Sequence, residues 1–164
     1  MVRFRFEIIT FSLLSHPLFF CLSLYLSISD TKIHITGIPE SICENMENLQ
    51  ELYLSDNEFE RALNPRIFAE CNELRVVHLE RNFFEGDVPF FREMFELEFV
   101  YLHENRFDQI QSNTFSNSPS LRIVNLANQH RPDGENVPAK INLKERAFAD
   151  MPKSTSLILL GYVS

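Results

Sequence analysis

At 164 residues the chain is one domain at most, and a composition 45% hydrophobic and 23% charged is that of a folded globular protein. The net charge is −8, with lysines and arginines scattered and no basic run. That balance argues against nucleic acid or an anionic membrane surface as a partner.

Residues 1–29 read as a targeting segment. Arg3 and Arg5 give a basic start. Ile8 to Ile28 is apolar apart from Thr, Ser, Cys and the His16–Pro17 pair, and Ser27-x-Ser29 ahead of Asp30 suits a small-residue cleavage site. Losing this leader, with Arg3, Arg5 and Glu7, would take the net charge to −9. The apolar span exceeds the ~7–15 residues of an ordinary signal core and reaches the ~20 that cross a bilayer. An uncleaved signal anchor therefore fits the same residues, and Pro17 would kink a spanning helix without forbidding it. Either way the chain is secreted or membrane-tethered, touching the membrane only through this segment. Were the segment foreign to the native protein, the remainder would be cytoplasmic.

From residue 49 a pattern returns at a fixed interval. Leu49-Gln-Glu-Leu52-Tyr-Leu54-Ser-Asp-Asn57-Glu-Phe59 is followed by Leu74-Arg-Val-Val77-His-Leu79-Glu-Arg-Asn82-Phe-Phe84, then by Leu97-Glu-Phe-Val100-Tyr-Leu102-His-Glu-Asn105-Arg-Phe107. A fourth copy, Leu121-Arg-Ile-Val124-Asn-Leu126, starts cleanly and then departs. The starts are 25, 23 and 24 residues apart. The x-L-x-L-x core has period 2, so its leucines point to one side of a short strand and the x residues to the other. One such strand cannot bury its apolar side alone. Stacked copies place Leu52, Val77, Val100 and Val124 in one buried column and Leu54, Leu79, Leu102 and Leu126 in a second. A second register agrees: Phe68, Phe91 and Phe115 each stand six residues before the next copy's first Leu, as Cys43 does before Leu49. The phenylalanines form an expected aromatic spine under the outer side.

The form L-x-x-L-x-L-x-x-N-x-L resembles the leucine-rich repeat family over roughly residues 33–164. The resemblance implies an α/β fold: a right-handed leucine-rich repeat solenoid, or horseshoe, with a parallel β-sheet on its concave face and irregular or short helical segments on the convex one. Residues 30–164 make about five repeats, the first and last atypical. The resemblance also gives Asn57, Asn82 and Asn105 a structural role, as a ladder in which each buried amide satisfies backbone groups left open by a turn.

Residues 30–48 look like a worn first copy, in which Asp30 and Ile33 occupy the places where the pattern wants Leu and Asn. Such a copy suits a terminal cap. On the convex side, Asn64-Pro65 suits an N-cap followed by Pro, and Phe90 to Leu97 suits a helical turn or two. In the fourth copy Gln129 stands at the Asn position, which predicts a broken or shifted ladder. Leu143 matches Ile110 only if about nine residues are inserted within 129–138, a polar stretch with Pro and Gly that reads as a protruding loop. Its His130, Arg131, Asp133 and Glu135 are a second place for binding, because insertions in repeat arrays gather on one side. Leu157 to Tyr162 starts a further strand with no polar cap, an edge open to self-association.

Cys43 and Cys71 fall in inward columns and are expected as small buried residues, a disulfide between them being the less favoured reading since no framework spacing is present. The cysteine-rich caps carried by many extracellular members of the family are not recognisable at either end.

With the leucines inward, the x residues make the concave wall. Its centre is Tyr53, His78, Tyr101 and Asn125; one flank is Glu51, Val76, Phe99 and Ile123; the other is Ser55, Glu80, His103 and Ala127. Glu58, Arg81, Glu104 and Arg106 are expected to rim it. Strands favour aromatic and β-branched residues in any case. An amphipathic patch of Tyr, His, Val and Phe nevertheless suits contact with a protein or peptide ligand. The resemblance implies a non-catalytic recognition module, exported or membrane-tethered, or a piece of a larger receptor, or an intracellular scaffold, and no cofactor. A remote alternative is a metal enzyme in which His78, Glu80 and His103 hold zinc. No H-E-x-x-H, C-x-x-C pair, phosphate-binding glycine loop or G-x-S-x-G supports catalysis.

Overall fold

The structure, a computed structural model, describes residues 42–43, 48–130 and 140–159, and the backbone alone at 25–27. Ten short strands follow in order: β1 (Tyr25–Ser27), β2 (Glu51–Tyr53), β3 (Glu60–Ala62), β4 (Val76–His78), β5 (Phe83–Asp87), β6 (Phe99–Tyr101), β7 (Arg106–Ile110), β8 (Ile123–Asn125), β9 (Asn142–Leu143) and β10 (Ser156–Ile158). From β2 onward they sort alternately into two parallel sheets, β1-β2-β4-β6-β8-β10 and β3-β5-β7-β9. One turn of a solenoid thus contributes a strand to each sheet. The six-stranded sheet lines the concave face.

Register follows the leucine pattern. Leu52, Val77, Val100 and Val124 are direct neighbours along the sheet, with Leu157 beyond them. The first four are fully buried, as are Leu79, Leu102 and Leu126 in the next column. Hiding a Val or Leu side chain contributes about 1.5–3 kcal/mol, so the two columns are the main apolar support of the array. Past each strand the hydrogen bonding continues between coils: the amides of Leu54, Leu79 and Leu102 donate to the carbonyls of His78, Tyr101 and Asn125 at 2.8–2.9 Å.

Each coil then turns sharply at one residue in the left-handed region. Asp56, Arg81, Glu104 and Asn128 all have φ between 54° and 57°. The next residue plugs the corner. Asn82 donates from Nδ2 to the carbonyls of Leu54, Leu79 and Glu80 and accepts at Oδ1 from the Phe59 amide. Asn105 does the same with Leu79, Leu102, His103 and the Phe84 amide. Gln129 completes the series rather than breaking it. Its Nε2 donates to Leu102, Leu126 and Ala127, and its Oε1 accepts from Phe107 at 3.0 Å. The extra methylene leaves the amide within reach of the same four groups, so the ladder expected to fail at residue 129 runs on through it.

The outer side differs from expectation in detail. Among the described residues it carries turns and short strands and no α-helix. Glu70, Glu93, Asn117 and Asp150, each two residues past a spine phenylalanine, have φ of 55–74° and end any helical run there. Asn64 still caps the turn it opens, accepting at Oδ1 from the Arg66 amide at 2.9 Å. The spine is present and longer than expected: Phe68, Phe91, Phe115 and Phe148 stack with centroids 4.9–5.6 Å apart. A second stack, Phe59, Phe84 and Phe107, runs beneath the corner.

At the first coil the two cysteines change the picture. Cys43 and Cys71 form a disulfide across 28 residues, not two separate thiols. Cys43 holds the spine position and Cys71 the inward position three residues past Phe68, which brings them together. The strand that pairs with β2 is also earlier than expected. Leu26 lies beside Leu52, ahead of the span 30–48 read as the first copy. The inner sheet has six strands among the described residues, and β1 falls within residues 1–29. At the other end, β9 pairs Leu143 with Ile110, the match anticipated across the insertion. Residues 131–139, which hold most of that insertion, lie outside the described residues. Strand β10 closes the described sheet with Leu157 38% exposed. No helix among the described residues is long and apolar enough to cross a membrane.

Candidate binding face

Alternation along β2, β4, β6 and β8 turns two rows outward. Glu51, Val76, Phe99 and Ile123 form one, and Tyr53, His78, Tyr101 and Asn125 the other, each half-buried. Because parallel strands in register repeat every ~4.8 Å, flat side chains in one row stack. The His78 ring lies 4.6 Å from that of Tyr53 and 4.4 Å from that of Tyr101, with interplanar angles of 11° and 20°. His103 meets Tyr101 edge-on at 6.5 Å.

The third row does not form wall. Ser55, Glu80 and Ala127 are buried, and only His103 is half-exposed. Ser and Ala in that row were a signal of a narrow, closed column, and Glu80 is the exception inside it. Nδ1 of His78 stands 2.9 Å from Oε1 of Glu80. An ionised carboxylate only accepts, so the imidazole donates there. Oε2 of Glu80 is buried with no hydrogen-bond partner. His103 turns the other way, its Nδ1 3.1 Å from Nδ2 of Asn125. Since the amide nitrogen donates, that imidazole nitrogen accepts. The two histidines therefore serve different partners in different coils. Among the described residues no group of three or more His, Cys, Asp or Glu could hold a metal ion, and the suggested zinc set of His78, Glu80 and His103 falls away.

Several charges beside the face are paired. Glu98 binds both Arg75 and Arg122, the latter at 3.1 Å, and Arg75 beside it holds its carboxyl below the ordinary range. Arg81 grips Asp56 with two guanidinium nitrogens, lowering the Asp56 pKa in the same way. Arg106 is not part of the rim, because it lies in β7 of the other sheet with its guanidinium 4.5 Å over the Phe83 ring. Of the insertion residues, His130 is exposed and its amide bonds to the Asn105 carbonyl. Arg131, Asp133 and Glu135 lie outside the described residues.

Comparison with known proteins agrees with this geometry. A family profile described as Leucine rich repeat matches residues 24–84, starting just ahead of β1. Over those residues the chain carries leucine-rich repeats. The Leucine-rich repeat-containing G-protein coupled receptor 5 of Rattus norvegicus is 30% identical over 102 residues, covering 62% of this chain and 11% of that protein. Podocan of Mus musculus is 28% identical over 97 residues, covering 56% of this chain and 15% of its own. The chain thus spans less than a sixth of either relative. Proteins built on this repeat are typically non-catalytic binding proteins, and the repeat domain is a protein-interaction module.

Proposed function

We propose that this chain is an exported or membrane-tethered recognition module that captures a protein or peptide ligand on its concave sheet. The observation that carries the reading is the Tyr53–His78–Tyr101 stack. Three half-buried rings, bordered by Val76 and Phe99, offer a continuous amphipathic surface on a rigid sheet. Tyrosine suits such a role because it brings large area, few rotors and a polar tip. Export is supported by the Cys43–Cys71 disulfide, since such bonds persist in oxidising compartments. The apolar run before residue 29 and the relative that is a receptor by name point the same way. Against such short coverage, a part in a larger receptor remains included in the reading.

The double variant Tyr53→Ala/Tyr101→Ala tests it. Displayed on cells and screened against a library of secreted proteins, the wild type should capture a ligand and the double variant should lose it with its thermal transition nearly unchanged. Capture that survives would move the site to the 129–138 insertion or to the β10 edge. A reporter fused after Ser29, scored for export with and without residues 1–29, tests the compartment. The β10 edge supports a second reading, self-association, because Leu157 is exposed on the last described strand. A concentration-dependent sedimentation profile abolished by Leu157→Lys would favour it.

A further inference from the structure

Strand β1 lies in a stretch that the sequence reads as a leader. Its backbone pairs with β2 in the register of the other inner pairs. Leu26 stands beside Leu52 as Leu52 does beside Val77, Val77 beside Val100 and Val100 beside Val124. The steps between these positions are 26, 25, 23 and 24 residues, so residue 26 is one coil before residue 52. In that register the sequence repeats as well. Leu26-Ser-Ile28-Ser29-Asp30 falls on Leu52-Tyr-Leu54-Ser55-Asp56, with Thr31 at the place of Asn57 and Ile33 at that of Phe59. The family profile begins here too, at residue 24. Pairing, spacing and profile therefore assign the same residues to the solenoid.

A cut after Ser29 would remove all of β1. The backbone of Glu51, Leu52 and Tyr53 would then lose its partner strand and become an open edge. Leu52, which is fully buried, would stand at the end of its column with no register neighbour before it. Upstream of β1 a second small-residue pair stands at Cys21-x-Ser23. The apolar run ahead of it, Ile8 to Phe20, is 13 residues. That length lies within the ~7–15 of a signal core and short of the ~20 that cross a bilayer. The excess length of the run to Ile28 is thus the apolar pattern of the first coil added to an ordinary leader. The cysteines agree. Removing Cys21 leaves Cys43 and Cys71, already bonded to each other, and no odd thiol in an oxidising compartment.

We propose that the exported chain is cut between Ser23 and Leu24. This rests on the export reading above and adds the position of the cut and the class of enzyme that makes it, a leader-removing endoprotease of the export route. Water hydrolyses the Ser23–Leu24 amide. The leader departs with a new carboxylate on Ser23, and Leu24 keeps the new α-amino group, one residue ahead of β1. The inner sheet of the mature chain retains all six of its described strands.

The full chain, expressed in secreting eukaryotic cells and recovered from the medium, tests the proposal by N-terminal sequencing and intact mass. The mature protein should begin at Leu24. Ser23→Phe should abolish that N-terminus, because a bulky residue replaces the small one at the cut, and Ser29→Phe should leave it unchanged. Leu26→Asp should lower the thermal transition of the secreted protein by at least about 5 °C, since residue 26 heads the apolar column. A cut after Ser29 would discard residue 26 with the leader and leave that transition where it was. The proposal is overturned by a mature chain that begins at Asp30, by an uncut chain held in the membrane, or by a Leu26→Asp transition equal to wild type. Should Leu26→Asp not be secreted, the wild-type N-terminus still decides. A wild-type chain that stays in the cytosol would remove the export reading itself, whereas an exported chain with another N-terminus removes only the position of the cut.

Discussion

Two columns of rings run along the solenoid, four rings in one and three in the other, and are built by the same rule, yet they meet different surroundings. Phe68, Phe91, Phe115 and Phe148 stack on the outer side, three of them almost wholly out of water. Tyr53, His78 and Tyr101 stack on the inner side with similar spacing, but each is only half-buried. Repetition at a fixed rise makes both. What differs is which side of the sheet layer they face: dry rings support the coil, and wet rings are available to a partner. The lesson is that ring stacking in a solenoid is a product of register, and only exposure tells support from recognition.

Single substitutions can break the comparison. Phe91→Ala should open a cavity between two coils and cost about 3–5 kcal/mol in urea denaturation, against about 1 kcal/mol for Tyr101→Ala. Equal losses would mean the inner stack is also structural. Next in size is the double change Cys43→Ser/Cys71→Ser, which releases a 28-residue link and should cost about 3 kcal/mol. A melting temperature insensitive to reductant would argue against the bond. Gln129→Ala strands the Phe107 amide and the Leu102 carbonyl and should lose about 2 kcal/mol, while Gln129→Asn should lose less than about 1 kcal/mol. The smallest effect concerns the rim. The Asp56 carboxyl is lowered in the folded chain, mainly by its hydrogen bond to Arg81, from an ordinary value of 3.8. Its stabilisation is therefore present above that value and fades as pH falls through the lowered one. Solvent and salt screen the pair, so Asp56→Asn should cost under about 1 kcal/mol at pH 7. The gap to wild type should narrow as the pH falls below 3.8, and a gap that persists in acid would point to packing instead of charge.

Most of the fold was legible because it is periodic. The leucine columns, the inner rows and the phenylalanine spine follow from residue spacing alone, since each side chain's neighbour is its counterpart one coil away. What escaped was local and aperiodic. Gln129 departs from the letter of the pattern but keeps its geometry, a distinction that depends on one methylene. The disulfide lay hidden because Cys43 and Cys71 occupy different columns, and only the folded corner brings them to a Cα separation of 5.2 Å. Strand β1 was obscured because an apolar run before residue 29 is equally readable as a leader. Glu80 was read as part of the wall, and the structure places it buried beside His78.

The staple between Cys43 and Cys71 sits toward one end of a structure whose coils hold only their neighbours. Opening therefore has a direction. The β10 side, with no covalent clasp among the described residues, should peel away first, and the coils around Leu52 should be the last to admit water. A chain caught half-open would still present Tyr53 and His78 on intact coils. Thermal loosening would thus erode the inner surface from its Asn125 end.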